Sequence, residues 1–143
     1  MCYRLPLNSA GGLNRKMFPT LFVGNQTKAL TMIIMAFSNK TSKILPRIFC
    51  GKIKHVAPIV VRDDKLMLYQ FVCHGKIVKI PLLARDIEIL KAHGWRFIYL
   101  RCALPQSVNL RRIYTCVKFA KSMIGMHNIF IQTPGALYRK LGN

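Results

Sequence analysis

Two short segments about sixty residues apart carry the residue types of thiol chemistry. The first, Lys54-His55-Val56-Ala57-Pro58-Ile59-Val60-Val61, puts a histidine at the mouth of a β-branched run. The second, Tyr114-Thr115-Cys116-Val117-Lys118-Phe119-Ala120, puts a cysteine at the start of an amphipathic helical pattern. A cysteine at a helix N-terminus meets the positive end of the backbone dipole, which favours thiolate. A histidine alongside favours it further and can shuttle the proton. If the two meet, the chain has the minimum equipment of a cysteine hydrolase or acyltransferase. Each residue alone also has a plainer reading. A histidine at a strand end serves as a surface or capping residue. Cys116 falls with Ala120 and Met123 on its helix, which suits a buried structural thiol.

The elements that must position these residues can be read from periodicity and punctuation. Residues 1–28 are rich in Gly, Asn, Pro and Thr with weak periodicity, and the first acidic residue is Asp63. They read as a loop or arm, as a transit-type leader, or as an extension preceding a start at Met32 or Met35. Each reading places residues 1–34 outside a domain of residues 35–143. Residues 42–50 suggest a short helix interrupted by Pro46 and ended by Gly51. Residues 54–61 and 66–72 are expected strands joined by a hairpin at Arg62-Asp63-Asp64-Lys65. A third strand over 76–80 ends at Pro81. A helix follows over 83–93, with Leu83, Ile87, Leu90 and Ile89 toward the core and Gly94 past its end. A fourth strand spans 95–100. Helices follow over 115–124 and 133–140, the last with Thr133 as N-cap and Pro134 at N1. Between them Ile129-Phe130-Ile131 reads as a brief extended segment. Hairpin-linked strands with interspersed helices imply an α+β class, an antiparallel sheet with packed helices.

Composition restricts the partners. The chain has 143 residues, enough for one domain with a core. It carries 23 Lys and Arg against 4 acids, a formal charge of +19. Such an excess implies a polyanionic neighbour: nucleic acid, an anionic membrane face or an acidic protein surface. Biased codon usage is the plain alternative. The five cysteines are odd in number and lack C-x-x-C spacing. That argues against a zinc site and a disulfide framework and for a reducing, intracellular compartment, not secretion. His55, His74, His93 and His127 show no metal-ligand spacing, and no glycine-rich phosphate loop is present, so no metal or cofactor is expected. No apolar run reaches the ~18–20 residues of a membrane span.

The order of these pieces resembles the circularly permuted NlpC/P60 group of papain-like proteins. His55-Val56-Ala57 with its β-branched run is similar to that family's His strand. Asp63-Asp64 is similar to its acidic turn, Leu68-Tyr69-Gln70-Phe71 to its second strand, and Thr115-Cys116-Val117-Lys118-Phe119 to its Cys helix. Gln132-Thr133-Pro134-Gly135-Ala136-Leu137-Tyr138 is similar to its short terminal helix. The resemblance covers roughly residues 42–140. It implies a permuted papain-like fold acting on an amide or ester, as a peptidase, amidase or acyltransferase. Cys116 would be the nucleophile, His55 the general base and Gln70 the polar group orienting the imidazole, with His74 as the alternative third member. The Cys116 backbone N–H would serve the oxyanion. Small versions of the fold in phage genomes imply a host cytoplasm or a virion as the setting. The competing reading is a non-catalytic, highly basic binding protein that contacts nucleic acid or another polyanion.

Overall fold

The structure, a computed structural model, describes residues 2–4, 30–40, 51–72, 76–103, 113 and 115–143. Its elements run β1 (Cys2–Arg4), β2 (Leu30–Ser38), β3 (His55–Arg62), β4 (Lys65–Phe71), β5 (Ile77–Leu82), α1 (Ala84–Ala92), β6 (Arg96–Ala103), α2 (Cys116–Met123) and α3 (Pro134–Gly142). The six strands form one sheet in the order β1-β6-β2-β3-β4-β5. Every adjacent pair is antiparallel. The fold is therefore α+β, with helices on both faces of an antiparallel sheet. Among the described residues no helix is long and apolar enough to cross a membrane.

Local chemistry explains most element ends. Asp63 and Asp64 connect β3 to β4 with φ of 49° and 59°. Two consecutive left-handed residues define the tight hairpin turn that matches strand twist, and Asp tolerates that conformation. Thr115 caps α2 by accepting the Lys118 N–H at 3.1 Å, and Thr133 caps α3 by accepting the Ala136 N–H at 3.2 Å. Strand β5 continues through Pro81 to Leu82, beyond the end expected at the proline. It lies at the sheet edge, where a missing N–H costs nothing on the outer side. Leu83 is the N-cap of α1 and not a core residue. Its N–H donates to the Asp86 carboxylate at 2.7 Å, and its side chain is exposed, as is Ile89. Ile129 and Phe130 form a turn and no strand. The helix expected at 42–50 lies outside the described residues.

The boundary between an arm of residues 1–34 and a domain of 35–143 is corrected by β2. This strand sits inside the sheet between β6 and β3. Ile33 and Ile34 are fully buried, one on each face. A strand buried on both faces reads as a continuous apolar run, so Met32 through Phe37 lacks the alternation that announces a strand. Residues 2–4 also belong to the sheet, through β1 and β6.

The cysteine reading is corrected as well. Cys2 and Cys102 form a disulfide, with their Cα atoms 4.3 Å apart. They are directly opposed in the β1–β6 register. That separation is typical of a non-hydrogen-bonded antiparallel pair. Odd count and motif spacing carry no information about two cysteines 100 residues apart that sheet register brings together. The pair removes the support that reduced cysteines gave to a reducing compartment.

The core has two sides. Ile33, Met35, Phe37, Val56 and Leu100 pack with Val117, Ala120 and Leu137 of α2 and α3. Val60 and Phe71 extend this side to Phe119 and Met123. On the opposite face Ile34, Ala36, Ala57, Ile59 and Leu68 pack with Ile87 of α1.

Candidate active site

Cys116 is the first residue of α2 and is a half-buried thiol. The Thr115 cap fixes the helix start at this residue, so the positive end of the helix dipole is directed at the sulfur. The helix crosses the sheet. Near its C-terminal end the Ile124 carbonyl oxygen lies 3.1 Å from the Cys2 sulfur, a close contact because a disulfide sulfur has no proton to donate. At its N-terminal end Cys116 packs against the apolar cluster that holds Val60, Phe71, Ile113 and Phe119.

The sheet itself forks between β3 and β4. Strands β3 and β4 pair only from Ile59↔Leu68 to Arg62↔Lys65. The next residue of β3 is Pro58, which has no N–H to extend a ladder. From His55 to Pro58, β3 keeps β2 as its partner, and from Tyr69 to Phe71, β4 keeps β5. His55 opens one prong and Gln70 stands on the other.

Strand alternation decides which way these residues project. His55 alternates with Ala57 and Ile59, and Gln70 with Leu66 and Leu68, so both belong to the α1 face. The His55 ring meets the Trp95 ring edge-on, with centroids 6.4 Å apart, and its Nε2 is shielded from solvent. Helix α2 lies on the other face. The structure thus puts His55 and Gln70 on one face of the sheet and Cys116 on the helix that packs against the other, so the expected base and the expected nucleophile lie on opposite sides of the sheet. His74, the alternative third member, lies outside the described residues, as do Cys50 and Cys73.

No carboxylate serves this site. Asp63 and Asp64 form the β3–β4 turn, Asp86 caps α1, and Glu88 pairs with Lys91 at 2.8 Å. These are all four acids of the chain. Any orienting group for His55 is therefore neutral, as Gln70 is. His93 closes α1, with Nδ1 2.7 Å from the Ile89 carbonyl oxygen. Among the described residues no three His, Cys, Asp or Glu side chains gather to hold a metal.

Lys121 of α2 is a buried charged residue. Its ammonium donates to the carbonyls of Asn128 at 2.5 Å and Ile131 at 2.9 Å. Burial lowers its pKa below 10.5, and the neighbouring Lys118 charge lowers it further. Its role is to tie the α2–α3 connection beneath the helix that carries Cys116. A long aliphatic stem lets lysine occupy such a position, and helical periodicity alone does not reveal it.

No family model, curated protein or solved structure matches this chain.

Proposed function

We propose that the chain is a thiol-dependent hydrolase or acyltransferase of permuted NlpC/P60, papain-like type, acting on an amide or ester. The reading is supported by one observation: a thiol at the first position of a capped helix that packs on a sheet whose two diverging strands carry His55 and Gln70. On this reading the imidazole and the thiol have to reach one another across the open end of that fork. His55 takes the Cys116 proton, and the thiolate attacks the carbonyl carbon. The negative oxygen faces the helix N-terminus. The imidazolium returns its proton to the leaving amine or alcohol. Water, or an acceptor hydroxyl or amine, then attacks the thioester and restores the thiol. Gln70 fixes the ring tautomer but cannot balance the imidazolium charge, so catalysis is slower than with a carboxylate.

The test is alkylation of the folded chain near neutral pH, read by mass spectrometry at each cysteine, together with trapping by an activated ester. Cys116 should react faster than Cys50 and Cys73, and His55→Ala should slow it. A Cys116 whose rate is the same with and without His55, and which no ester acylates, would falsify this reading.

The charge favours a second reading, a non-catalytic protein bound to a polyanion. Against the +19 net charge, all four acids are placed in turns or on α1. Such a protein binds duplex DNA without sequence preference, and log affinity falls with log salt by about 0.9 per phosphate contacted. Weak retention on DNA at low salt would remove it.

A further inference from the structure

A cleft of about 420 Å³ opens at the same end of the sheet, on the side covered by α3. Among the described residues three cations line it from three separate parts of the chain: Lys52 ahead of β3, Arg96 at the start of β6 and Arg139 on α3. None of the four acidic side chains of the chain lines it: two form the β3–β4 turn and two lie on α1. The rest of the wall suits a ligand with both charge and a flat apolar part. Tyr138 lines the cleft, stacked edge-on against Phe37 at 5.1 Å, with the Arg96 guanidinium 5.7 Å from its ring centre. Gly135 lies in the first turn of α3, where backbone N–H groups have no carbonyl ahead of them.

We propose that this cleft binds the terminal phosphate of a small organic phosphate, a phosphomonoester. Like charges converging on a concave surface repel one another, and a bound anion relieves that repulsion. A monoester carries about −1.5 to −2 near neutral pH and offers three acceptor oxygens, one for each cation. A diester carries a single charge and presents fewer oxygens to a concave site. Arginine forks match phosphate oxygens in pairs, and Arg96 and Arg139 supply two of them. The proposal does not depend on thiol chemistry at Cys116.

The experiment is calorimetric titration of the full chain at physiological salt with adenosine 5′-monophosphate, inorganic phosphate, dimethyl phosphate and acetate. One saturable site is expected for the first two, with the nucleotide tighter because its base and ribose meet the Tyr138 wall. Dimethyl phosphate and acetate should bind far more weakly. Arg139→Gln and Lys52→Ala should each weaken the nucleotide about tenfold, as expected for loss of one charge-assisted contact. Both residues are exposed, so neither change disturbs the core. The double variant Lys76→Ala/Lys79→Ala, on and beside β5, removes charge elsewhere and should leave binding unchanged. Equal weakening by that variant would show general electrostatic attraction only and overturn the proposal. So would monoester binding no tighter than the diester.

Discussion

On one face of the sheet α1 contributes one buried side chain, Ile87, while Leu83 and Ile89 remain 56% and 52% exposed. On the other face α2 and α3 bury Val117, Phe119, Ala120, Lys121, Met123, Pro134 and Leu137. The helices are nearly equal in length, so the difference lies in which residues face inward. The α2–α3 face holds the fold together. The α1 face draws fewer buried side chains from its helix, although Ile34, Ala36, Ala57 and Ile59 on it are fully buried, and it is the one from which His55 and Gln70 project.

The harshest way to break this comparison is to remove a strand both faces share. Deleting residues 1–34 cuts β2 in half and removes β1, so the truncated chain should show no cooperative thermal unfolding. A melting transition close to that of the full chain would mean that β2 is dispensable. Single core truncations sharpen the contrast. Phe37→Ala, on the α2–α3 side, should cost about 3–5 kcal/mol in denaturant unfolding. Ile87→Ala should cost about 2–5 kcal/mol. In hydrogen exchange its effect should be confined to α1, with α2 and α3 keeping their protection. Loss of protection in all three helices would show that the faces are not independent.

A smaller effect is expected at Lys121. Lys121→Met keeps the stem but leaves the Asn128 and Ile131 carbonyls without their donor, at a cost of about 1–3 kcal/mol. The pH dependence has a definite sign. The folded pKa is depressed by burial, so the unfolded chain binds this proton more tightly. The associated stability is full above 10.5 and is lost as pH falls through the folded value. The wild type should therefore gain on Lys121→Met as alkaline pH rises. A stability difference that stays flat between neutral pH and 10.5 would show that the Lys121 proton is held equally in both states.

What the sequence reveals follows from how each signal is made. The β3–β4 hairpin, α2 and α3 are legible because their ends carry specific chemistry: paired Asp residues in a turn, and a threonine cap at each helix. Strand β2 is harder to read, because burial on both faces erases the period of two and its flanks offer no clear boundary. Pro81 misleads because only sheet order shows that β5 is an edge. For the site, His55 and Cys116 stand out by residue type, and the strand and helix expected around them are present. Their placement on opposite faces follows from which helix packs on which side, and spacing along the chain does not encode that. The cleft is harder still. Lys52, Arg96 and Arg139 are three basic residues among 23, and only folding makes them neighbours.

The disulfide has a consequence for how the molecule meets its own copies. A sheet edge offers unpaired N–H and C=O groups to any passing strand. At one rim, β5 blunts that offer with Pro81 and with Lys79, whose ammonium sits over the Tyr69 ring. At the other rim, among the described residues, β1 covers β6 along three rows, Leu100 to Cys102. A ladder that short cannot hold itself in place. The covalent link to Cys102, more than the hydrogen bonds beside it, keeps this stretch of edge closed to strand addition by a second molecule.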